Sequence, residues 1–156
     1  MFGAGVWKWP DKLGVVRLRP IADIAPVRQK ATMSYDLMVF DPRVAPRDPE
    51  GFLSWYSAQT EWAEEHFYDD PKVTTPALAG WFAEISGGFP PMNGPFASTD
   101  CDDLRVTDYS IGRSVIYAAF AWSQAELAFA AVDRLAAKHA VGFFDVSSNE
   151  GLIRFP

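Results

Sequence analysis

The chain has 156 residues, with 14 Lys and Arg against 20 Asp and Glu, a formal net charge of −6, and 49% of it is apolar. That length suits one domain with one core, the apolar share is too high for disorder, and no apolar run approaches the ~20 residues of a membrane span. Net acidity argues against a nucleic-acid binder, which must neutralise phosphates with clustered Lys and Arg; a single cysteine, Cys101, excludes an internal disulfide framework and fits a reducing, cytoplasmic compartment.

Residues 1–32 carry Lys8, Lys12, Arg17, Arg19, Arg28 and Lys30 against Asp11 and Asp23, a net of +4, so the other 124 residues carry a net of −10. Pro10, Pro20 and Pro26 with Gly3, Gly5 and Gly14 argue against a long helix in this stretch. No continuous apolar stretch of ~7–15 residues follows a basic start, so no signal peptide is expected. The reading is a basic, Pro/Gly-interrupted N-terminal extension over 1–32 and a single acidic domain over 33–156.

From Met33 the character changes. Ser34 to Asp41 reads as a first strand, apolar enough to be central and ended by Asp41-Pro42. Phe52, Trp55, Tyr56, Gln59, Trp62 and His66 recur at helical steps and predict a helix over Glu50–Phe67, with Asp48 as N-cap, Pro49 at its first position and His66 capping its last carbonyls. A second helix is predicted over Thr75–Ser86, capped by Thr75, buried through Leu78, Trp81, Phe82 and Ile85, and stopped by Gly87-Gly88. The three prolines of Phe89–Pro95 make a stiff loop, and an acidic stretch, Asp100-Cys101-Asp102-Asp103, follows it. Leu104–Ser110 and Arg113–Trp122 read as strands.

Ser123-Gln124-Ala125-Glu126 matches a capping box, opening a helix that runs to about His139 and is closed by Gly142. Phe143–Ser147 and Leu152–Phe155 read as the last two strands, around a turn at Ser148–Gly151. The order β-α-α-β-β-α-β-β predicts an α+β fold: a mixed or mainly antiparallel four- to five-stranded sheet, helices packed on one face, and a βαβ or split βαβ unit.

The chemistry-bearing residue types are mostly in the wrong pattern for catalysis. Glu61, Glu64, Glu65, His66, Asp69 and Asp70 crowd together. However, the Glu-x-x-His step of di-iron bundles is missing, and two histidines leave little for zinc, so no metal or cofactor is expected. Asp100–Asp108 lacks the ligand spacing of a calcium loop, with Leu104, Arg105 and Ile111 where Asp or Asn, Gly and Glu belong. Cys101 lies among aspartates that disfavour a thiolate, and no Gly-x-Ser-x-Gly elbow or phosphate loop occurs. No catalytic residue is singled out. Most aromatic residues stand at core spacing; Phe67, Tyr68, Phe89, Met92 and Phe96 instead fall in loops beside carboxylates, the composition of a protein-binding surface.

Met33-Ser-Tyr-Asp-Leu-Met-Val-Phe-Asp-Pro42, Phe89-Pro-Pro-Met-Asn-Gly-Pro95, Asp108-Tyr-Ser-Ile-Gly112, Phe120-Ala-Trp-Ser123 and Gly142-Phe-Phe-Asp-Val146 together resemble a family of small uncharacterised bacterial proteins. Its members begin at the methionine matching Met33, which agrees with reading 1–32 as an extension. The resemblance carries over no catalytic residue. By size and charge alone, such proteins are similar to the immunity proteins that neutralise toxins. The expectation is therefore a non-enzymatic cytoplasmic binding module, of the immunity type, that docks a basic partner such as a toxin. The docking carboxylates would be Glu64, Glu65, Asp69, Asp70, Asp100, Asp102 and Asp103. The alternative is a small enzyme or ligand-binding domain with a pocket under the Pro90–Pro95 loop, touched by Phe89, Met92, Asn93 and Phe96. A homodimer joined through an edge strand is a third reading; neither nucleic acid nor membrane is an expected partner.

Overall fold

The structure is a computed structural model that describes residues 33–156; the basic segment 1–32 lies outside the described residues. The described chain divides into two units, one holding Pro46–Ala63 and the other Ser34–Ala45 with Glu64–Pro156.

The larger unit is organised around β1 (Ser34–Phe40), whose Leu37, Met38, Val39 and Phe40 are all fully buried. A strand without polar alternation can be accommodated only where both sheet faces are covered, and β1 is the middle of five strands. The others are β2 (Asp108–Ile111), β3 (Val115–Ala121), β4 (Gly142–Asp145) and β5 (Ile153–Arg154), in the order β2-β3-β1-β4-β5. Every pairing is antiparallel, with Leu37 opposite Ala118 on one side of β1 and Asp145 on the other. The fold is thus α+β, at the five-stranded, antiparallel end of the expected range. Because β3 and β4 both oppose β1, they run parallel to each other with β1 between them, and the helix joining them completes the split βαβ unit.

That helix, α3 (Ala125–Lys138), and α2 (Pro76–Gly88) cover one sheet face. Leu78, Trp81, Phe82 and Ile85 of α2 and Ala128, Val132, Leu135 and Ala136 of α3 meet Leu37, Val39, Ile116, Ala118 and Phe120. The aromatic rings interlock edge to face, Phe82 against Tyr109 at 5.1 Å and Phe89 against Phe120 at 5.1 Å, the arrangement their quadrupoles favour. The buried Tyr109 hydroxyl donates to the Phe89 carbonyl at 2.8 Å. Glu84 of α2 clips the end of α3, reaching Lys138 at 2.7 Å and His139 at 2.8 Å, and the hydrogen bonds from these two groups hold its carboxyl below the usual range. Gly80 leaves room for the His139 ring, 3.0 Å from where a Cβ would stand.

In the smaller unit, α1 (Pro49–Gln59) begins as predicted, with the Asp48 carboxylate accepting from the Gly51 N–H at 2.7 Å and Pro49 in the first turn. It buries Phe52, Leu53, Tyr56 and Ser57. It stops well short of Phe67, which corrects the predicted helix over Glu50–Phe67. The Thr60 hydroxyl donates to the Tyr56 and Ser57 carbonyls, and the N–H groups of Glu61 and Trp62 turn back to Ala58 and Gln59. Trp62 then takes φ 53°, a left-handed conformation that no helix continues through.

Three further boundaries differ. Gly87 and Gly88 lie inside α2, whose cap is Phe89. The capping box does not form: Trp122–Gln124 is a 3-10 turn, so Ser123 lacks the extended backbone an N-cap requires, and the cap position falls to Gln124 with no side-chain bond. At the other end of α3, the Val141 N–H reaches the Ala136 carbonyl at 3.0 Å and Ala140 N–H the Ala137 carbonyl at 3.3 Å, a Schellman pair closed by Ala140 at φ 53°. Gly142 opens β4 instead of closing the helix, and the Phe40 ring occupies the space a Cβ would need.

Candidate functional site

The residues singled out from the sequence lie in two loops, 64–70 and 89–107, and both attach to the β2 side of the sheet. β2 is an edge strand with unpaired backbone groups on its outer side. One of these, the Ile111 N–H, donates to the Tyr68 carbonyl at 2.9 Å, which anchors the first loop. Just upstream, Thr107 N–H donates to the Pro90 carbonyl at 2.8 Å and Met92 N–H to the Thr107 carbonyl at 2.9 Å. These form a single parallel bridge that anchors the second loop. Pro90 has no N–H to offer a longer ladder, so the pairing ends there. The Ser98 N–H returns to the Pro91 carbonyl at 2.8 Å, folding the second loop on itself.

The two loops touch where Gly94, at φ 85°, faces Asp69: the Asp69 carbonyl fills the place of a Cβ. Only glycine satisfies both the left-handed backbone and this approach. The acidic pair Asp69-Asp70 is thereby held against the Pro-rich loop that leads to Asp100, Asp102 and Asp103.

The carboxylates then divide by task. Asp70 accepts from Lys72 N–H at 2.9 Å, Asp100 from Asp102 N–H at 3.0 Å, and Asp103 from Arg105 N–H at 2.9 Å, all three building their own turns. The bonds from Arg105, backbone before side chain, hold the Asp103 carboxyl below its usual range. Glu64 is turned toward the β2–β3 turn, accepting from Arg113 N–H at 3.1 Å. Glu65, Asp69 and Asp102 spend their carboxylates on no partner among the described residues. The same two loops carry Phe67, 86% exposed, Leu104, 62%, and Phe96, 60%. Phe96 leans on Phe82 at 6.5 Å, so the ring rests on the core while offering its outer face.

Of the expected pocket residues, Asn93 is exposed and Met92 half-buried. Phe89 is buried, its ring packed into the core on Phe120.

His66 is not a helix cap, since no helix reaches it. Its Nδ1 lies 2.9 Å from the Phe67 carbonyl and its Nε2 is hydrogen-bonded to the Glu64 carboxylate. The Tyr68 ring stacks obliquely on it at 4.6 Å. The bond to the Phe67 carbonyl, followed by Glu64, raises the imidazole above its ordinary value, against partial desolvation and the Arg113 charge. The sequence names Glu64 and His66 but carries no signal for this pairing, because they sit only two residues apart in a segment whose helical spacing predicts opposite faces.

Three carboxyls are buried among the described residues, Asp36, Asp41 and Asp145, and the two inside strands carry no functional signal in the sequence. Asp36 of β1 accepts from the Tyr117 hydroxyl. Asp145 of β4 accepts from the Tyr35 hydroxyl at 3.2 Å and the Ser148 N–H at 3.2 Å. Burial pushes the Asp145 carboxyl above its usual range, and burial with the neighbouring Asp145 charge pushes the Tyr35 hydroxyl up as well. Their only mark in the sequence is an acid inside an apolar strand.

Cys101 is exposed, and among the described residues no three His, Cys, Asp or Glu converge as a metal would require. No helix among them is long and apolar enough to cross a membrane. Comparisons with family models, curated proteins and solved structures return no match.

Proposed function

We propose that this chain is a non-enzymatic cytoplasmic binding module of the immunity-protein kind, which docks a basic protein partner through the loops on its β2 edge. The reading rests on one observation. Two loops fixed to each other at Gly94 and Asp69 carry the carboxylates of Glu65, Asp69 and Asp102, without a partner among the described residues, together with the exposed Phe67, Phe96 and Leu104.

Carboxylates that are not spent on internal pairs attract a cationic surface over a Debye length and raise the encounter rate. The aromatic and aliphatic side chains supply the apolar area that holds the complex once formed. Both loops are anchored by backbone hydrogen bonds, so little ordering entropy opposes docking. The −10 charge of residues 33–156 acts in the same direction, and the resemblance to small bacterial proteins belongs to the same proposal.

The test uses the tagged full chain and its Glu65→Gln/Asp69→Asn/Asp102→Asn variant as parallel baits in cell lysate. The expected result is a basic protein held by the parent and lost from the variant. Its association rate with the parent should fall about tenfold or more between roughly 0.05 and 0.5 M salt. A salt-insensitive rate, or equal retention by the variant, overturns the reading.

A further inference from the structure

The Glu64–His66 pair has a property that goes beyond docking. Both ring nitrogens of His66 face acceptors: the Phe67 carbonyl at Nδ1 and the Glu64 carboxylate at Nε2. A carbonyl and an ionised carboxylate can supply no proton, so with Glu64 ionised the two bonds exist together only when both nitrogens carry hydrogen, that is, in the imidazolium. A neutral ring would turn one lone pair onto an oxygen and lose that bond.

Glu64 connects this requirement to the sheet. Its carboxylate also accepts from the Arg113 N–H in the turn between β2 and β3, and the absence of a side chain on Gly112 lets Oε1 come to 3.2 Å of that residue's missing Cβ. Tyr68 closes the same knot, its hydroxyl accepting from the Glu64 N–H at 2.6 Å while its carbonyl accepts from Ile111 on β2. The His66 side chain is 13% exposed and that of Glu64 23%, so water competes weakly for either. Among the described residues, the titratable or charged groups facing the imidazole are Glu64 and Tyr68 from its own loop and Arg113 from the β2–β3 turn; of these only Glu64 favours the proton.

We propose that His66 is a proton-operated latch: its imidazolium, bridging Glu64 and the Phe67 carbonyl, holds residues 64–67 in the fold that presents the Glu64 carboxylate to the β2–β3 turn, and loss of one proton loosens that segment while the Tyr68–Ile111 bond still anchors the loop. The sign follows from linkage. A histidine whose folded-state value is raised contributes stability that is fully present below the unfolded value and lost as pH rises through the folded one. Residues 64–67 are therefore held in mildly acidic solution and loosen on the alkaline side of the ordinary imidazole range. Phe67 and Asp69 ride on this loop, so the latch would also set the shape of the docking surface. That consequence rests on the functional reading above; the latch itself does not.

The test is an NMR titration of the free full-length chain, which needs no partner. The His66 ring should titrate with a midpoint above about 6.5. The Arg113 amide and the amides of 67–70 should shift with that same midpoint. Corrected for intrinsic rates, hydrogen-exchange protection of the Glu64 and Arg113 amides, which donate inside the knot, should fall roughly tenfold or more across it. In Glu64→Gln the midpoint should drop toward the ordinary value, and in His66→Gln the loop amides should lose the transition. A parent midpoint at or below about 6.5, or loop amides and protection unchanged through it, overturns the latch whatever becomes of the docking proposal.

Discussion

Gly142 and Ala140 stand two residues apart and carry opposite conformational demands. The Phe40 ring lies where a Gly142 Cβ would go, and because Phe40 is fully buried it has nowhere to swing. Gly142→Ala should therefore cost about 1–3 kcal/mol, read as a lowered urea midpoint with unchanged slope. Ala140 holds the left-handed position at the end of α3 that glycine normally fills, so Ala140→Gly should raise stability by about 0.5–1 kcal/mol in the same measurement. Asp145 offers a test of charge. Its carboxyl is raised by burial, so the charged form opposes folding: stability from this group is full below its unfolded value and declines as pH rises toward the folded one. Asparagine can accept from Ser148 N–H and donate to the Tyr35 oxygen, so Asp145→Asn should stay within about 1 kcal/mol of the parent at neutral pH and flatten that decline.

At the scale of elements, the N-termini were the most readable parts of the helices and the C-termini the least. Asp48-Pro49 and Thr75-Pro76 both start helices where their side chains imply, because an N-cap is a local bond between a side chain and an N–H three residues on. Asp48→Ala should remove about 1 kcal/mol of helix stability, measurable as reduced exchange protection over the first turn of α1. The ends depend on what competes for the backbone. Helical spacing continued from Phe52 to His66 in the sequence, yet α1 ends at Gln59 because Thr60 takes the last carbonyls, and the Tyr68 carbonyl is claimed by Ile111, a residue 43 positions away. Ser123 failed as a cap for a related reason. The chain leaving β3 tightens into a 3-10 turn first, and the capping pattern contains no information about that turn.

For the molecule as a whole, the useful quantity is which charges remain after internal pairing. Of the seven carboxylates named as a docking set, four are used in building turns or the His66 latch, and Glu65, Asp69 and Asp102 remain for an outside partner. Charge-neutral substitution of these three should leave the unfolding midpoint nearly unchanged, within about 0.5 kcal/mol, while slowing association with a basic partner. The four structural carboxylates should behave oppositely, with stability falling before any binding effect can be read. Gly94→Ala separates the loops without touching a charge, because the Asp69 carbonyl occupies the Cβ position. It should weaken binding if the two loops act as one surface.

The sequence by itself determined the element order, the central place of β1, the core face of α2, and the acidity of residues 33–156. Each of these is written in periodicity or composition, which depend on near neighbours in the chain. Tertiary structure decided which edge the two loops share, which carboxylates are spent, that Phe89 packs on Phe120 in the core, and that His66 faces two acceptors. These depend on backbone groups of β2 and its turn, brought within hydrogen-bond reach only when the sheet forms. No local pattern encodes a distance between residues 64 and 113, or between 69 and 94, so the chemistry of the edge became readable only with the fold.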